Sequence, residues 1–221
     1  MNVPLLEVDH LTAGYDRTAV LDDLSLALMR GERAALVGPS GSGKSTLLRC
    51  IAGLKAPRGG TIRIAGKIVA DATTSVAPSR RGVAMVFQSY ALWPHLTARE
   101  HLRLVARDPA LADRWLERVR IEALRERMPG QLSGGEQARL ALARAFASGA
   151  QLLLLDEPLR NLDPPLAAGL REEIVRWIDE AGLTALIVTH DEKDAAELAT
   201  TTHVLVTDGG VGRLAAAGSR S

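Results

Sequence analysis

Three short stretches of the chain are almost continuously apolar, at residues 34–37, 152–155 and 185–188. Runs of this length and character are typical of strands that other elements cover on both faces. Segments with the periodicity of helices lie between them, so strands and helices alternate along the chain. This pattern predicts an α/β fold whose core is a mostly parallel sheet.

The N-terminal third of the chain has a different pattern. Residues 5–8, 20–28 and 61–64 are predicted to be short strands, joined by turns that contain glycine. These strands indicate an antiparallel β annex beside the parallel sheet. A further apolar run, at residues 83–87, is predicted to be another strand.

Helix formers dominate from about residue 97 to residue 147. Trp115, Leu116, Val119 and Leu124 recur there at helical spacing, so the stretch is predicted to be a helical insert in the α/β core. The predicted organisation is a single domain over residues 1–221. Its core comprises residues 1–88 and 151–221, and its helical subdomain covers about 89–150.

The composition narrows the class of protein. With 27 basic and 26 acidic side chains the formal charge is +1, which argues against a broad surface for nucleic acid or anionic lipid. No apolar run approaches the roughly 20 residues of a membrane span, and residues 1–11 lack the pattern of a secretory signal. Cys50 is the only cysteine, so a disulfide within the chain is excluded. We therefore expect a soluble protein of a reducing compartment.

Residues 38–45 read GPSGSGKS and match the pattern G-x-x-x-x-G-K-[ST] of a phosphate-binding loop between a strand and a helix. Glycines let backbone N–H groups converge on a phosphate at a helix N-terminus. Lys44 is then expected to reach the β and γ oxygens, and the Ser45 hydroxyl to ligate Mg²⁺. About 0.003 chance matches are expected in a chain of this composition, so a coincidental glycine turn is rejected.

Acidic side chains follow the apolar run at 152–155. Asp156 stands where a Mg²⁺ partner for the phosphate loop belongs, at the carboxyl end of a buried parallel strand. Glu157 is placed to polarise an attacking water. The alternative is a solvated acidic turn, which the neighbouring phosphate loop makes less favourable.

Three further side chains are candidates with open alternatives. His190 follows the strand at 185–188 and would contact a γ-phosphate or position the water, although a lone histidine is more often structural. Gln88 would offer its amide to Mg²⁺ or to the water, or is simply a polar residue at a strand end. Tyr15 would stack on an adenine face, or pack within the annex.

The segment Leu132-Ser133-Gly134-Gly135-Glu136 precedes a helical run. Together with the phosphate loop before it and the Asp-Glu strand after it, this segment makes the chain resemble the ATP-binding cassette ATPases. The resemblance extends from residue 5 to about residue 209 and implies a P-loop NTPase core.

The resemblance implies that two cassettes face each other head to tail, so that each ATP lies between one phosphate loop and the other cassette's LSGGE segment. A second cassette, most simply an identical one, is then required. ATP and Mg²⁺ are the implied cofactors. The implied catalytic residues are Glu157, His190 and Gln88, and the implied Mg²⁺ ligands are Ser45, Gln88 and Asp156. The implied nucleotide-binding residues are Tyr15, Gly38, Pro39, Ser40, Gly41, Ser42, Gly43, Lys44, Ser45, Thr46, Ser133, Gly134, Gly135 and Asp163.

Residues 87–97 resemble the corresponding segment of importer ATPases for sulfate, molybdate, iron, polyamines, sugars and thiamine. In those proteins the segment touches a helix of the membrane permease. Tyr90, Leu92 and Trp93 are therefore expected to form a groove for a partner helix, with ordinary core packing as the alternative. The implied protein is a peripheral subunit at the cytoplasmic face of the membrane, working with a permease and an extracytoplasmic binding protein. An exporter subunit or a non-transport cassette are the alternatives, and the substrate is not predicted.

One departure from the family pattern bears on the site. Arg160 stands where a small residue, usually serine, is expected, although Asp163 is retained. The resemblance leaves the effect of Arg160 on communication between the cassettes open.

Overall fold

A computed structural model of the chain describes residues 3–215, so residues 1–2 and 216–221 of the predicted core lie outside the described part. Its strands and helices, in chain order, are β1 Leu6–Tyr15, β2 Thr18–Leu28, β3 Arg33–Val37, α1 Lys44–Ala52, β4 Gly59–Ile64, β5 Lys67–Ala70, β6 Val83–Val86, α2 Ala98–Arg103, α3 Pro109–Arg118, α4 Gly134–Ala147, β7 Leu152–Asp156, α5 Pro164–Glu180, β8 Thr184–Val188, α6 Glu192–Leu198, β9 Thr201–Asp208 and β10 Val211–Leu214. None of these helices combines the length and apolar character that crossing a membrane requires.

The described strands form one sheet in the order β5-β4-β1-β2-β10-β9-β3-β8-β7-β6. Strands β9, β3, β8, β7 and β6 are all parallel to one another. Strands β5, β4, β1 and β2 pair antiparallel, and the parallel pair β10–β2 joins them to the rest. The predicted α/β fold, its mostly parallel sheet and its antiparallel annex are therefore confirmed.

The parallel strands are covered on both faces, as their apolar runs predict. Along β7, Leu152 and Leu154 contribute to a hydrophobic cluster on one side of the sheet, with α1 and the annex. Leu153 and Leu155 contribute to a second cluster on the other side. Because successive side chains of a strand point to opposite faces, both faces need apolar residues, which accounts for the uninterrupted run.

The helical insert packs onto the second of these clusters. Trp115 of α3 stacks on Phe146 of α4, with the ring centroids 5.0 Å apart, and Trp177 of α5 meets both rings edge-on. The insert thus shares its apolar core with α5 and the sheet, since β7 and β8 contribute to the same cluster. The boundaries of the subdomain at 89 and 150 stay a prediction.

Several elements differ from the sequence prediction. Strand β1 runs on to Tyr15, and strands β5, β9 and β10 were not predicted. In β9 only Leu205 is buried, and the apolar run is just the three residues 204–206, so the sequence pattern indicates this strand weakly. Leu124 lies beyond the end of α3, because Arg120 adopts a positive φ of 60° and breaks the helix.

A buried arginine holds the C-terminal end of α1, the helix that follows the phosphate loop. Arg81 is 4% exposed, and its guanidinium donates to the carbonyl oxygens of Cys50, Ile51 and Val76 at 2.8–3.0 Å. We expect Arg81→Ala to lower the free energy of unfolding by about 2–4 kcal/mol, because three carbonyl groups lose the donors that the buried guanidinium supplies. Urea unfolding measures this loss. The exposed neighbour Arg80, changed to Ala, is the control and is expected to change stability by less than about 0.5 kcal/mol; equal losses in both variants would contradict the assignment.

Candidate functional site

The predicted site residues follow four strands that lie side by side. Strands β3, β8, β7 and β6 are neighbours and parallel, so their carboxyl ends meet at one edge of the sheet. Residues 38–43 follow β3, Glu157 follows β7, and Gln88 and His190 stand two residues beyond β6 and β8. The fold thus brings these predicted residues together from distant parts of the chain.

The phosphate loop connects β3 to α1, and two of its glycines have no room for a side chain. A Cβ on Gly38 would lie 2.4 Å from the carbonyl oxygen of Leu205. A Cβ on Gly43 would lie 2.5 Å from Leu21 Cδ2, and Gly43 also has a left-handed φ of 99°. The loop is therefore pressed against β2 and β9, and it directs the first turn of α1 toward the edge of the sheet.

Lys44 and Ser42 make this loop suitable for an anion. Lys44 is 7% exposed, and its Nζ donates to the carbonyl oxygens of Gly38 and Pro39 at 2.8 Å. Burial lowers the pKa of Lys44, while the nearby Glu157 and Asp156 carboxylates act in the opposite direction. Within residues 3–215 the Ser42 hydroxyl is buried without a hydrogen-bond partner. A buried ammonium and a spare hydroxyl at a helix N-terminus fit a phosphate group.

Ser45 and Asp156 form the candidate metal site. Ser45 Oγ donates to Asp156 Oδ1 at 3.1 Å, and Asp156 is 5% exposed. Burial raises the pKa of Asp156, and the hydrogen bond from Ser45 opposes this shift. In the described part of the chain, no group of three or more His, Cys, Asp or Glu side chains is arranged to hold a metal. A hydroxyl and one carboxylate fit Mg²⁺, which keeps waters and takes further oxygens from a phosphate substrate.

The Glu157 carboxylate lies at the centre of a small polar network. Its Oε1 is 3.0 Å from His190 Nδ1, and its Oε2 accepts from an Arg160 guanidinium nitrogen at 2.7 Å. Gln88 Nε2 is 3.4 Å from Oε2. With its amide turned over, Gln88 offers its oxygen to Arg160 Nε at 3.1 Å, an orientation that matches donors with acceptors. Glu157 itself has a left-handed φ of 49°, an uncommon conformation for a residue with a side chain.

Tyr15 lies beside α1 and is not packed inside the annex. It is 44% exposed, and its hydroxyl accepts from Arg49 at 3.1 Å. The Lys55 ammonium lies 3.9 Å from the ring centroid. Hydrogen bonds with Thr46 and Arg49 lower the pKa of Tyr15. The ring is therefore attached to the helix of the phosphate loop with a surface open to a ligand, as stacking on a base requires.

The LSGGE segment lies at the start of α4 and contacts the first turn of α5. Ser133 caps α4, and Glu136 Oε2 accepts from the backbone N–H of Ser133 at 2.7 Å, forming a capping box. Gly135 has no room for a Cβ, which would lie 2.3 Å from Leu166, and Asp163 caps α5 by accepting from Leu166 N at 3.0 Å. No hydrogen bond among residues 3–215 joins Ser133, Gly135 or Asp163 to the phosphate loop.

The segment after Gln88 is held in a strained turn. Tyr90 and Ala91 have φ values of 60° and 46°, and the Arg144 guanidinium donates to both of their carbonyl oxygens at 2.7 Å. Tyr90 and Leu92 pack against the core, so the core-packing alternative holds for these two. Trp93 is 44% exposed and lines a groove of about 300 Å³.

His101 fixes the position of Trp93. Its Nε2 accepts from the backbone N–H of Trp93 at 2.8 Å, and its Nδ1 lies 2.8 Å from the carbonyl oxygen of Thr97. The imidazole is fully buried, and this burial lowers its pKa. A neutral ring with its proton on Nδ1 satisfies both contacts.

Sequence reasoning did not find the arginines and the lysine that complete the site. Arg49 and Lys55 border Tyr15, Arg144 holds the turn after Gln88, and Arg160 contacts Glu157. With 23 arginines in the chain, no spacing distinguishes these from arginines on the surface. Only the departure at Arg160 was visible beforehand.

Comparison with known proteins identifies the family. Residues 21–160 match the family model described as ABC transporter. Among curated proteins, the chain is 43% identical over 203 residues to the sulfate/thiosulfate import ATP-binding protein CysA of Nocardia farcinica, covering 88% of the chain and 60% of that protein. It is 40% identical to the putrescine transport ATP-binding protein PotG of Escherichia coli, with 89% and 53% covered. It is 41% identical to the lactose transport ATP-binding protein LacK of Rhizobium radiobacter, with 89% and 55% covered. The chain thus spans little more than half the length of these relatives.

A solved structure agrees along nearly the whole of both chains. It is the dimeric post-hydrolysis state of the ATP-binding cassette MJ0796 bound to ADP and Pi, at 28% identity and a TM-score of 0.81. The matched regions cover 94% of this chain and 96% of that one. The resemblance inferred from the phosphate loop, the LSGGE segment and the Asp-Glu strand is confirmed: the chain belongs to the ABC transporter family.

Proposed function

We propose that this chain is the ATP-hydrolysing subunit of a membrane importer. The observation that carries the proposal is the meeting of Lys44, Asp156 and Glu157 at one edge of the parallel sheet, where a buried cation, a buried carboxylate that accepts from Ser45 and a second carboxylate lie together. This combination suits the binding and cleavage of a polyphosphate.

In the proposed complex, the loop amides and Lys44 bind the phosphates of ATP, and the Tyr15 ring stacks on the adenine. Ser45 and Asp156 would hold Mg²⁺, with Gln88 as a further ligand. When bound, the ion would neutralise charge on the phosphate oxygens. Lys44 exchanges its two carbonyl acceptors for phosphate oxygens, which offsets the loss of those hydrogen bonds.

Glu157 then orients a water and takes its proton. The water oxygen forms a bond to the γ-phosphorus while the bond from that phosphorus to the β–γ bridging oxygen breaks, giving ADP and phosphate. His190, which contacts Glu157 Oε1, holds the carboxylate in place and senses the γ-phosphate together with Gln88. The left-handed backbone at Glu157 supports this assignment, since strained residues concentrate at functional sites.

The proposed active form is a homodimer in which Ser133, Gly134, Gly135 and Asp163 of one copy complete the ATP site of the other. The LSGGE segment opens the 14-residue helix α4, so its amides present a second anion-binding end. The dimeric state of MJ0796 supports this arrangement. Binding of ATP would close the dimer, and the dimer would open after hydrolysis, once phosphate is released.

The import assignment is supported by relatives whose names include import of sulfate/thiosulfate and of Fe(3+) ions. Their substrates differ, so none is assigned to this chain. We place the protein at the cytoplasmic face of the membrane, with a helix of a permease in the groove beside Trp93 and an extracytoplasmic binding protein delivering substrate. The apolar lining of this groove, which includes Met85, Phe87 and Val105, suits such a helix.

Co-expression with the membrane protein encoded beside its gene tests this assignment. We expect the chain to be recovered with that protein from membranes, and Trp93→Ala to weaken the association about tenfold or more while ATP hydrolysis by the free chain is retained. Ile68→Ala, which truncates another exposed apolar side chain on β5, is the control. Equal recovery of the Trp93 variant, or recovery of none of the three chains, would overturn the assignment.

A further inference from the structure

We propose that Arg160 is a positioning residue that restrains Glu157 until ATP and a second cassette draw the guanidinium away. The inference rests on the proposed function, because it concerns the carboxylate assigned there as the base. It adds a device that lowers hydrolysis by the unassembled chain.

The side-chain contacts of Arg160 lead to residues assigned to hydrolysis. One guanidinium nitrogen lies 2.7 Å from Glu157 Oε2, and Nε lies 3.1 Å from the Gln88 oxygen in its favoured orientation. His190 holds the other Glu157 oxygen at 3.0 Å. Each carboxylate oxygen of Glu157 thus already faces a side-chain partner.

The backbone turn at residues 157–161 places the Arg160 side chain beside Glu157. Both Glu157 and Asn161 have left-handed φ values, 49° and 63°, and the Arg160 amide donates to the Glu157 carbonyl at 3.2 Å. This turn places the two side chains three residues apart over the same edge of the sheet. The Arg160 carbonyl also accepts from the Tyr90 hydroxyl at 3.4 Å, which ties the turn to the segment that follows Gln88.

Arg160 limits the access of water to Glu157. The Glu157 side chain is only 13% exposed, whereas the Arg160 side chain that lies against it is 45% exposed. A base that takes a proton from water must direct an oxygen at that water, within about 2.6–3.2 Å. Here Oε2 faces the guanidinium, which takes up one of its two lone-pair directions, so Arg160 narrows the approach that is left for a water.

The ion pair between Arg160 and Glu157 is weak enough to be broken when a nucleotide binds. An ion pair with one partner half exposed is weak and is screened by salt. Arg160 borders a cavity of about 400 Å³, lined also by Asn161, Arg171 and Asp194, which gives the guanidinium space to turn. A γ-phosphate carries more negative charge than the carboxylate and offers bidentate geometry that suits arginine. Arrival of the nucleotide in the closed dimer therefore competes for Arg160.

The test is steady-state ATP hydrolysis by the full chain at low protein concentration, with kcat and KM separated. We expect Arg160→Ser and Arg160→Gln to raise kcat about two- to fivefold, the range that an exposed ion pair supports. KM for ATP is expected to rise as well, because the γ-phosphate loses the guanidinium that it attracts in the closed dimer. Arg160→Lys keeps the cation and is expected to stay within about twofold of the unmodified chain. Arg118→Ser, which removes an arginine of similar exposure from its pair with Glu180, is the control and is expected to change neither constant.

A fall in kcat, or no change, in both the Ser and the Gln variant would overturn the proposal, since Arg160 would then support catalysis or only stability. Thermal unfolding of the same samples shows whether each variant is folded. Failure of the proposed function is recognised separately: in that case Glu157→Gln would leave turnover unchanged whatever residue stands at 160.

Discussion

Replacing Glu157 by Gln is expected to lower kcat for ATP hydrolysis by about 10²- to 10⁴-fold, the usual contribution of a general base. The amide keeps the size of the side chain and still contacts His190 and Arg160, but it cannot take a proton from water. ATP binding is expected to be retained, because no phosphate-binding group is removed. Phosphate release and binding of a fluorescent ATP analogue, measured on the same sample, separate the two effects.

Glu172→Gln is the matched control for this variant. Glu172 lies exposed on α5, away from the ends of the parallel strands, and its replacement changes charge in the same way. We expect it to hydrolyse ATP at the rate of the unmodified chain. Unchanged turnover in Glu157→Gln would show that another group takes the proton.

Replacing Lys44 by Ala is expected to lower kcat/KM by at least about 10²-fold, because it removes the cation that faces the phosphates. Binding of ATP is expected to weaken as well, in contrast to Glu157→Gln. The fold is expected to persist, because burying the Lys44 ammonium is unfavourable for the folded chain, as its lowered pKa indicates. Isothermal titration with ATP and a phosphate-release assay measure the two losses.

Two further lysine variants define what the site requires. Lys44→Arg keeps the charge but is expected to lower kcat/KM nearly as much as Lys44→Ala does. The Lys44 ammonium fits between two carbonyl oxygens 2.8 Å away, and a planar guanidinium does not. Lys67→Ala removes an exposed lysine from β5 and is expected to have no effect. Normal turnover in Lys44→Ala would contradict the assignment of the phosphate loop.

The sequence predicts the parallel core of the fold well, because burial on both faces leaves apolar runs that a pattern can detect. The strands that sequence reasoning missed are short or little buried. Strands β5 and β10 have four residues each, and only Leu205 is buried in β9. The place of β9 is set by pairing with β3, which is far away in the chain, and local patterns do not record such pairing.

The functional site likewise contains residues that the sequence predicts and residues that it does not. Residues that follow a strand could be predicted to meet, since parallel strands end at a common edge, and the structure places His190 and Gln88 at 3.0 and 3.4 Å from the Glu157 carboxylate. The arginines could not be predicted. The contact of Arg144 with the turn at Tyr90 spans 54 positions, and the orientation of Arg160 depends on two left-handed residues. Long, flexible side chains take their positions from the completed fold.

In the proposed dimer, one chain supplies half of each of two ATP sites. The molecular mass of Glu157→Gln in solution tests this arrangement, measured by sedimentation with Mg²⁺ and ATP or with Mg²⁺ and ADP. We expect a dimer with ATP and a monomer with ADP. Adding Ser133→Arg to the same chain is expected to abolish the dimer while binding of ATP to the monomer persists, because Ser133 completes only the partner's site in the proposed dimer. A monomer in ATP, or a dimer that Ser133→Arg leaves intact, would rule out this arrangement.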